Sequence, residues 1–166
     1  LAAGKTDNWS KLVAGQSGIR TITRFPTDGL RTTMAGTVDF VPVEPFSSTA
    51  LEERLAEMVA EEAIAQAAIG RRGDFPGPLF LAVAPVELEW PQRTEVAAAT
   101  AERDITYDKM LLVSGGGRFT AYHRRYLFGS VADHLAENFG TKGSPISLST
   151  ACASGATAIQ LGVEAI

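Results

Sequence analysis

The sequence predicts a layered α/β domain with a mixed, largely parallel sheet. Three observations carry that prediction. A long helical pattern opens at Thr49, an unbroken apolar run at 79–86 is bounded by prolines, and the last forty residues alternate helix, short strand and helix. Helices alternating with short buried strands place a parallel sheet between helical layers. In such sheets sites collect at the carboxyl ends of strands.

Each element has its own signal. Thr49 followed three residues on by Glu52 reads as a capping box, and Leu51, Leu55, Met58 and Val59 form an apolar stripe behind it. From Ala63 to Ile69 the pattern is apolar nearly all round, so this half of the helix is expected to be buried, with Gly70 as its stop. After the turn-rich GRRGDFPGP, the run LFLAVAPV at 79–86 reads as a central parallel strand covered on both faces. Residues 87–125 form an excursion with a strand expected at KMLLVSG and a flexible SGGGR. Leu127, Val131, Leu135 and Phe139 recur at helical spacing, and Gly140 supplies a stop. PISLST reads as a short strand. Ala156, Ile159, Val163 and Ile166 mark the stripe of a following helix.

Composition narrows the function classes. The 166 residues are 45% hydrophobic, enough for one domain with a real core. The net charge of −4 comes from interspersed acids and bases, which offers no basic stripe for nucleic acid and no polybasic cluster for a membrane surface. No apolar run reaches the length of a membrane span and the first residues lack the pattern of a signal peptide, so a cytoplasmic location is expected. With one cysteine and two histidines, the chain makes a poor zinc set, and no metal or cofactor is expected.

That cysteine, Cys152, falls on the turn from the PISLST strand into the last helix. A thiol there has free backbone N–H groups and the positive end of a helix dipole beside it, which stabilises the nucleophilic thiolate. Its neighbours Ala151, Ala153, Ser154 and Gly155 are all small. They would let a bulky acyl thioester reach the sulfur and leave N–H groups, that of Cys152 included, for a developing oxyanion. Ala151, Ala153 and Ser154 are therefore the candidate lining of the substrate site. On placement alone, however, a lone cysteine among alanines is more often a buried core residue.

The surrounding residues decide between the two. GSPISLSTACASGATAIQLGVEAI closely resembles the nucleophile segment of the elongating β-ketoacyl-(acyl carrier protein) synthases of the thiolase superfamily. WSKLVAGQSGIRTITRF followed by MAGTVDF resembles that family's early helix and loop. The two matches stand in the family's order, with weaker similarity between Glu44 and Arg125. The resemblance implies a thiolase-like layered fold, usually a homodimer, with Cys152 as the acyl-accepting nucleophile. The partners it implies are acyl- and malonyl-loaded acyl carrier protein, and the chemistry is decarboxylative condensation in fatty acid or polyketide-like chain elongation. It also implies that residues 1–166 are a partial N-terminal ketoacyl-synthase domain, lacking the first strand and the C-terminal half. In the family, two histidines and a lysine that assist decarboxylation follow the nucleophile. His123 and His134 precede it, so neither matches them, and a packing or hydrogen-bonding role is expected for His134.

The middle of the chain departs from the family, with LAVAPVELEW where a glycine-rich turn is usual. Carrier proteins are acidic, yet residues 47–69 carry Glu52, Glu53, Glu57, Glu61 and Glu62 against Arg54 alone. Docking charge is therefore expected from Arg118, Arg124 and Arg125. Rival readings are a ketosynthase partner subunit without a nucleophile, which Cys152 opposes, and another thiolase-fold acyltransferase. GKT at Gly4–Thr6 as the tail of a phosphate loop, and SGGG at 114–117 as an esterase oxyanion loop, lack the rest of their motifs.

Overall fold

A computed structural model describes residues 2–43, 47–100 and 106–166. The chain divides into two compact units, Leu1–Glu44 and Pro45–Ile166. In the first, helix α1 (Lys5–Val13) precedes the antiparallel pair β1 (Ile19–Thr21) and β2 (Met34–Gly36), with Arg20 paired to Ala35 at its centre. An ion pair of 2.7 Å from Arg20 to Asp39 ties the pair to the chain that follows.

The second unit is built on two helices. Helix α2 (Ser48–Ala67) packs against α6 (Ser130–Phe139), whose Val131, Leu135 and Phe139 are the buried core cluster. The spacing of those three residues puts them on one face, as the sequence predicted, and Gly140 ends the helix in the left-handed conformation. Ala56, Ala60 and Ile64 of α2 pack on this cluster from one side; Phe75, Leu79, Leu81, Val83 and Val86 complete it. Burying a side chain such as Leu135 contributes roughly 1.5–3 kcal/mol.

Two features of α2 differ from expectation. Its cap is Ser47, whose hydroxyl accepts from the Ala50 N–H at 3.4 Å, while Thr49 is fully buried and takes no part in a capping box. Its second half is mostly exposed, and the face turned inward carries Glu53 and Glu57 with the small residues. The inward face is selected by partners, His134 of α6 and Arg125, not by the stripe of largest side chains. The helix stops at Ala67, before Gly70, with Ala68 left-handed at φ 54°.

The expected strand at 79–86 forms only as β3 (Phe80–Ala82), paired in parallel with β4 (Ile146–Leu148) so that Leu81 faces Ser147. Among the described residues these two strands make a separate two-stranded sheet, so β3 is not central and no single larger sheet is present. Pro85 lacks the N–H that an extension would need. The α/β character and the parallel pairing agree with the sequence, while the sheet is split and short.

In the excursion, α3 (Trp90–Ala99), α4 (Tyr107–Gly115) and α5 (Thr120–Arg125) replace the expected strand at KMLLVSG. Met110 to Val113 is too short a run for periodicity to separate strand from helix, and Met and Leu prefer helix. The excursion is fastened to α2 by Glu89, the residue capping α3, whose carboxylate accepts from the Ser48 N–H and, at 2.9 Å, from the Ser48 hydroxyl. A carboxylate at a helix N-terminus meets free N–H groups and the positive dipole end. Burial would push the Glu89 carboxyl up, but hydrogen bonds from Ser48, Ser47 and Tyr126 hold it below its ordinary range.

Candidate active site

β4 delivers the chain to a single turn of 3₁₀ helix, Ala151–Ala153, which runs directly into α7 (Ser154–Glu164). Cys152 lies in the middle of that turn and is exposed. Its position beyond the carboxyl end of a parallel strand, at a helix entrance, is where the sequence placed it.

The turn is strained and then bound tight. Ala151 has φ 50°, a left-handed conformation that costs an L-residue roughly 1–2 kcal/mol. The Ser154 hydroxyl donates to the Ala151 carbonyl at 2.7 Å and accepts from the Thr150 N–H at 2.8 Å. The Thr157 hydroxyl donates to the Ala153 carbonyl at 3.1 Å, and since its one hydrogen is used there, Thr150 Oγ1 donates to it across 3.2 Å. Ala153 N–H closes the 3₁₀ turn on the Thr150 carbonyl at 3.1 Å. The N–H of Cys152 precedes that donor, in the position where a helix start leaves its amides for an outside acceptor.

Ala151, Ala153 and Gly155 are exposed around the sulfur, and a methyl group built on Gly155 would meet nothing within 4 Å. Space for an incoming acyl group is thus open on that side. Ser154 is half-buried, with its hydroxyl spent on the turn. Helix α7 packs on β3 through its small face, with Ala158 and Gly162 lining a 290 Å³ cleft beside Leu79, Phe80, Leu135 and Phe139. The stripe that marked this helix in the sequence lies on the other side, with Ile159 71% and Val163 66% exposed. The helix is apolar on both sides, so its periodicity could not choose between them.

His134 does not face the cysteine turn. Its Nε2 donates to Glu57 Oε1 at 2.9 Å, and Asn138 donates to the same oxygen at 2.9 Å. Arg54 and Arg72 reach the Glu57 carboxylate at 3.0 and 3.4 Å. Burial would push that carboxyl up, but the hydrogen bonds of His134 and Arg54 and the charges of Arg72 and His134 hold it below its ordinary value. His134 thus has the hydrogen-bonding role expected of it. His123 is exposed on α5.

A stability consequence follows. A carboxyl whose folded value lies below the ordinary value of about 4.3 stabilises the fold above that pH and loses its contribution as pH falls through the lower folded value. Glu57→Gln in the full-length protein is expected to lower stability on the order of 1 kcal/mol at pH 7, with the gap to wild type closing below pH ~4. Thermal melts across that range check it; a pH-independent gap would show that the packing of Glu57, not its charge, matters.

Of the three arginines expected to dock a carrier, Arg125 is engaged by the buried carboxylate of Glu53. Arg118 stacks on the Phe119 ring at 5.2 Å, and Arg124 is exposed. The acidic face of α2 is likewise changed: Glu53, Glu57 and Glu61 all have basic partners, so they are not an unscreened repulsive stripe. Glu52 is half-buried and its carboxyl is pushed up by desolvation. Among the described residues no three acidic, histidine or cysteine side chains converge as metal ligands would, and no helix is long and apolar enough to cross a membrane.

A strand-to-helix turn presenting an exposed thiol between small residues defines a candidate acyl-transfer site. The family model of the β-ketoacyl synthase N-terminal domain matches residues 83–166, half of the chain and all of this turn. The chain belongs to the β-ketoacyl synthase family. It is 29% identical over 168 residues to a protein of Streptomyces cyaneus named as a polyketide β-ketoacyl synthase, a match covering 91% of this chain and 36% of that protein. The chain therefore spans about a third of the length of that relative. No solved structure matches it.

Proposed function

We propose that this chain is the nucleophile-bearing part of a thiolase-fold β-ketoacyl synthase, acting with acyl carrier protein, and that Cys152 accepts the growing acyl chain. The observation that carries this reading is the exposed Cys152 on its strained turn, inside the segment the family model covers. The Cys152 thiolate attacks the carrier-bound thioester carbonyl, while the N–H of Cys152 stands ready for the oxyanion. The carrier's sulfur leaves as a thiol after taking up a proton. Malonyl carrier protein then loses carbon dioxide, its carbanion attacks the acyl-cysteine, and Cys152 leaves as thiolate from a product longer by two carbons. By resemblance, the histidines and lysine serving decarboxylation follow the nucleophile in the complete enzyme, which would act as a cytoplasmic homodimer. The name of the Streptomyces relative favours polyketide-type chain building over fatty acid elongation. The test is peptide mapping of the full-length protein after incubation with acyl carrier protein loaded with a short acyl group. The adduct is expected on the Cys152 peptide; an adduct elsewhere, or none, overturns the reading.

Docking belongs to the same proposal. Arg124 and Arg118 carry the charge that meets the acidic carrier, with Arg125 held back by Glu53. Arg124→Glu in the full-length protein is expected to raise KM for acyl carrier protein about 3- to 10-fold at low salt, and less at high salt, by loss of electrostatic steering. Acylation by a small soluble thioester should be unchanged. Equal loss with both substrates would assign Arg124 to the fold.

A further inference from the structure

We propose that Ser154 is a positioning residue for the nucleophile: its hydroxyl holds Ala151 left-handed and thereby fixes where the Cys152 sulfur stands. The inference rests on the reading of Cys152 as the nucleophile and goes beyond it.

Three hydroxyls surround the cysteine without pointing at it. Ser154 spans the turn from the Thr150 N–H to the Ala151 carbonyl, the two groups on either side of the residue of this turn with unfavourable φ. A left-handed alanine persists only where its surroundings over-determine it. At this turn the Ser154 hydroxyl supplies that constraint, since it is the side chain that bonds both sides of Ala151. Thr157 and Thr150 act one step further out, fastening the Ala153 carbonyl to the first turns of α7. Relaxing Ala151 to a right-handed or extended conformation would rotate the following peptide, moving both the sulfur and the Cys152 N–H that faces the oxyanion. Attack needs the sulfur near 3–3.5 Å from the carbonyl and aligned with it, so a displacement of about 1 Å costs on the order of 10²-fold.

The side-chain chemistry is specific. A serine hydroxyl has one hydrogen to give and lone pairs to accept, and both are used here. Threonine keeps that hydroxyl; alanine and valine do not. A residue that merely filled space would tolerate valine as well as threonine.

The experiment uses the full-length protein with Ser154→Ala, Ser154→Thr and Ser154→Val. Two rates are read on each: single-turnover acylation by acyl carrier protein, and alkylation of Cys152 by iodoacetamide, followed by mass. Ser154→Ala and Ser154→Val are expected to slow acylation about 10-fold or more at saturating carrier, with KM unchanged and the alkylation rate also reduced. Ser154→Thr should stay within about 3-fold of wild type on both. Installing Ala151→Gly beside Ser154→Ala should recover part of the loss, because glycine adopts the left-handed turn without strain. Should Ser154→Ala fail to fold, Thr157→Val tests the same brace with a smaller expected loss of about 3-fold. Wild-type rates in Ser154→Ala and Ser154→Val, or equal loss in Ser154→Thr and Ser154→Val, would overturn the proposal. If wild type forms no acyl adduct at all, the function reading fails, and the alkylation rates still decide the role of Ser154.

Discussion

Cys152→Ser is expected to slow acyl transfer onto the full-length protein on the order of a thousandfold or more, with almost no change in stability. The two halves of that expectation have separate grounds. Serine keeps the shape of the side chain and leaves the backbone N–H groups in place, so the turn and its oxyanion donor survive. Its hydroxyl is nevertheless a far weaker nucleophile at neutral pH, and no base is hydrogen-bonded to it among the described residues: His134 donates to Glu57. Cys152 is exposed, so a change of one atom there belongs with surface substitutions, usually within about 0.5 kcal/mol. Intact-mass measurement after incubation with acyl carrier substrate reads the first half and a thermal melt the second. An adduct of wild-type size on the serine variant would move the nucleophile elsewhere. A large drop in melting temperature would make Cys152 a packing residue, the alternative its alanine-rich surroundings first suggest.

Local patterns of that kind were legible in the sequence, and non-local ones were not. The turn at Cys152 is specified by a short strand, small residues and a helix in immediate succession, and the stop at Gly140 by one residue after an apolar period. Both appear where expected. The burial of Glu53 and Glu57 could not be read in this way, because the groups that hold them, Arg125 and His134, are 72 and 77 residues away in sequence. Sequence set those glutamates as acidic charge against a carrier, whereas partners from α5 and α6 turn Glu53 and Glu57 inward. Helix α7 fails for another reason. Ala158 and Gly162 repeat at the same spacing of four as Ile159 and Val163, so hydropathy favours the larger residues while β3 accepts the smaller. The hydroxyl brace at Thr150, Ser154 and Thr157 had a visible signal, three short polar side chains at spacings of four and three around the nucleophile. Only the left-handed Ala151 shows what they are for.

The largest loss of stability is expected from Gly140→Ala, and two costs combine there. Gly140 has φ 64°, which alone disfavours alanine by about 1 kcal/mol. The added methyl would also run into the Gly73 carbonyl oxygen and lie 2.6 Å from its carbon, both backbone atoms with no side-chain rotation to relieve them. Nor can the segment around Gly73 retreat freely. The Phe75 N–H donates to the Phe139 carbonyl at 2.9 Å, the Lys142 N–H to the Gly77 carbonyl at 2.8 Å, and Arg72 stacks 5.3 Å from the centre of the Phe139 ring. Moving either strand of this crossing breaks contacts to the buried Phe139, so a loss of about 3 kcal/mol or more is expected. Gly143→Ala separates the two costs: its φ is 70°, but nothing lies within 4 Å of the new methyl, so only about 1 kcal/mol should be lost. Chemical denaturation of both full-length variants tests this, and equal losses would show that the close approach to Gly73 contributes nothing. The effect should reach the chemistry as well. Residues 141–145 lead from Gly140 directly into β4, whose end sets the Cys152 turn, so Gly140→Ala should slow acylation even at temperatures where the variant remains folded.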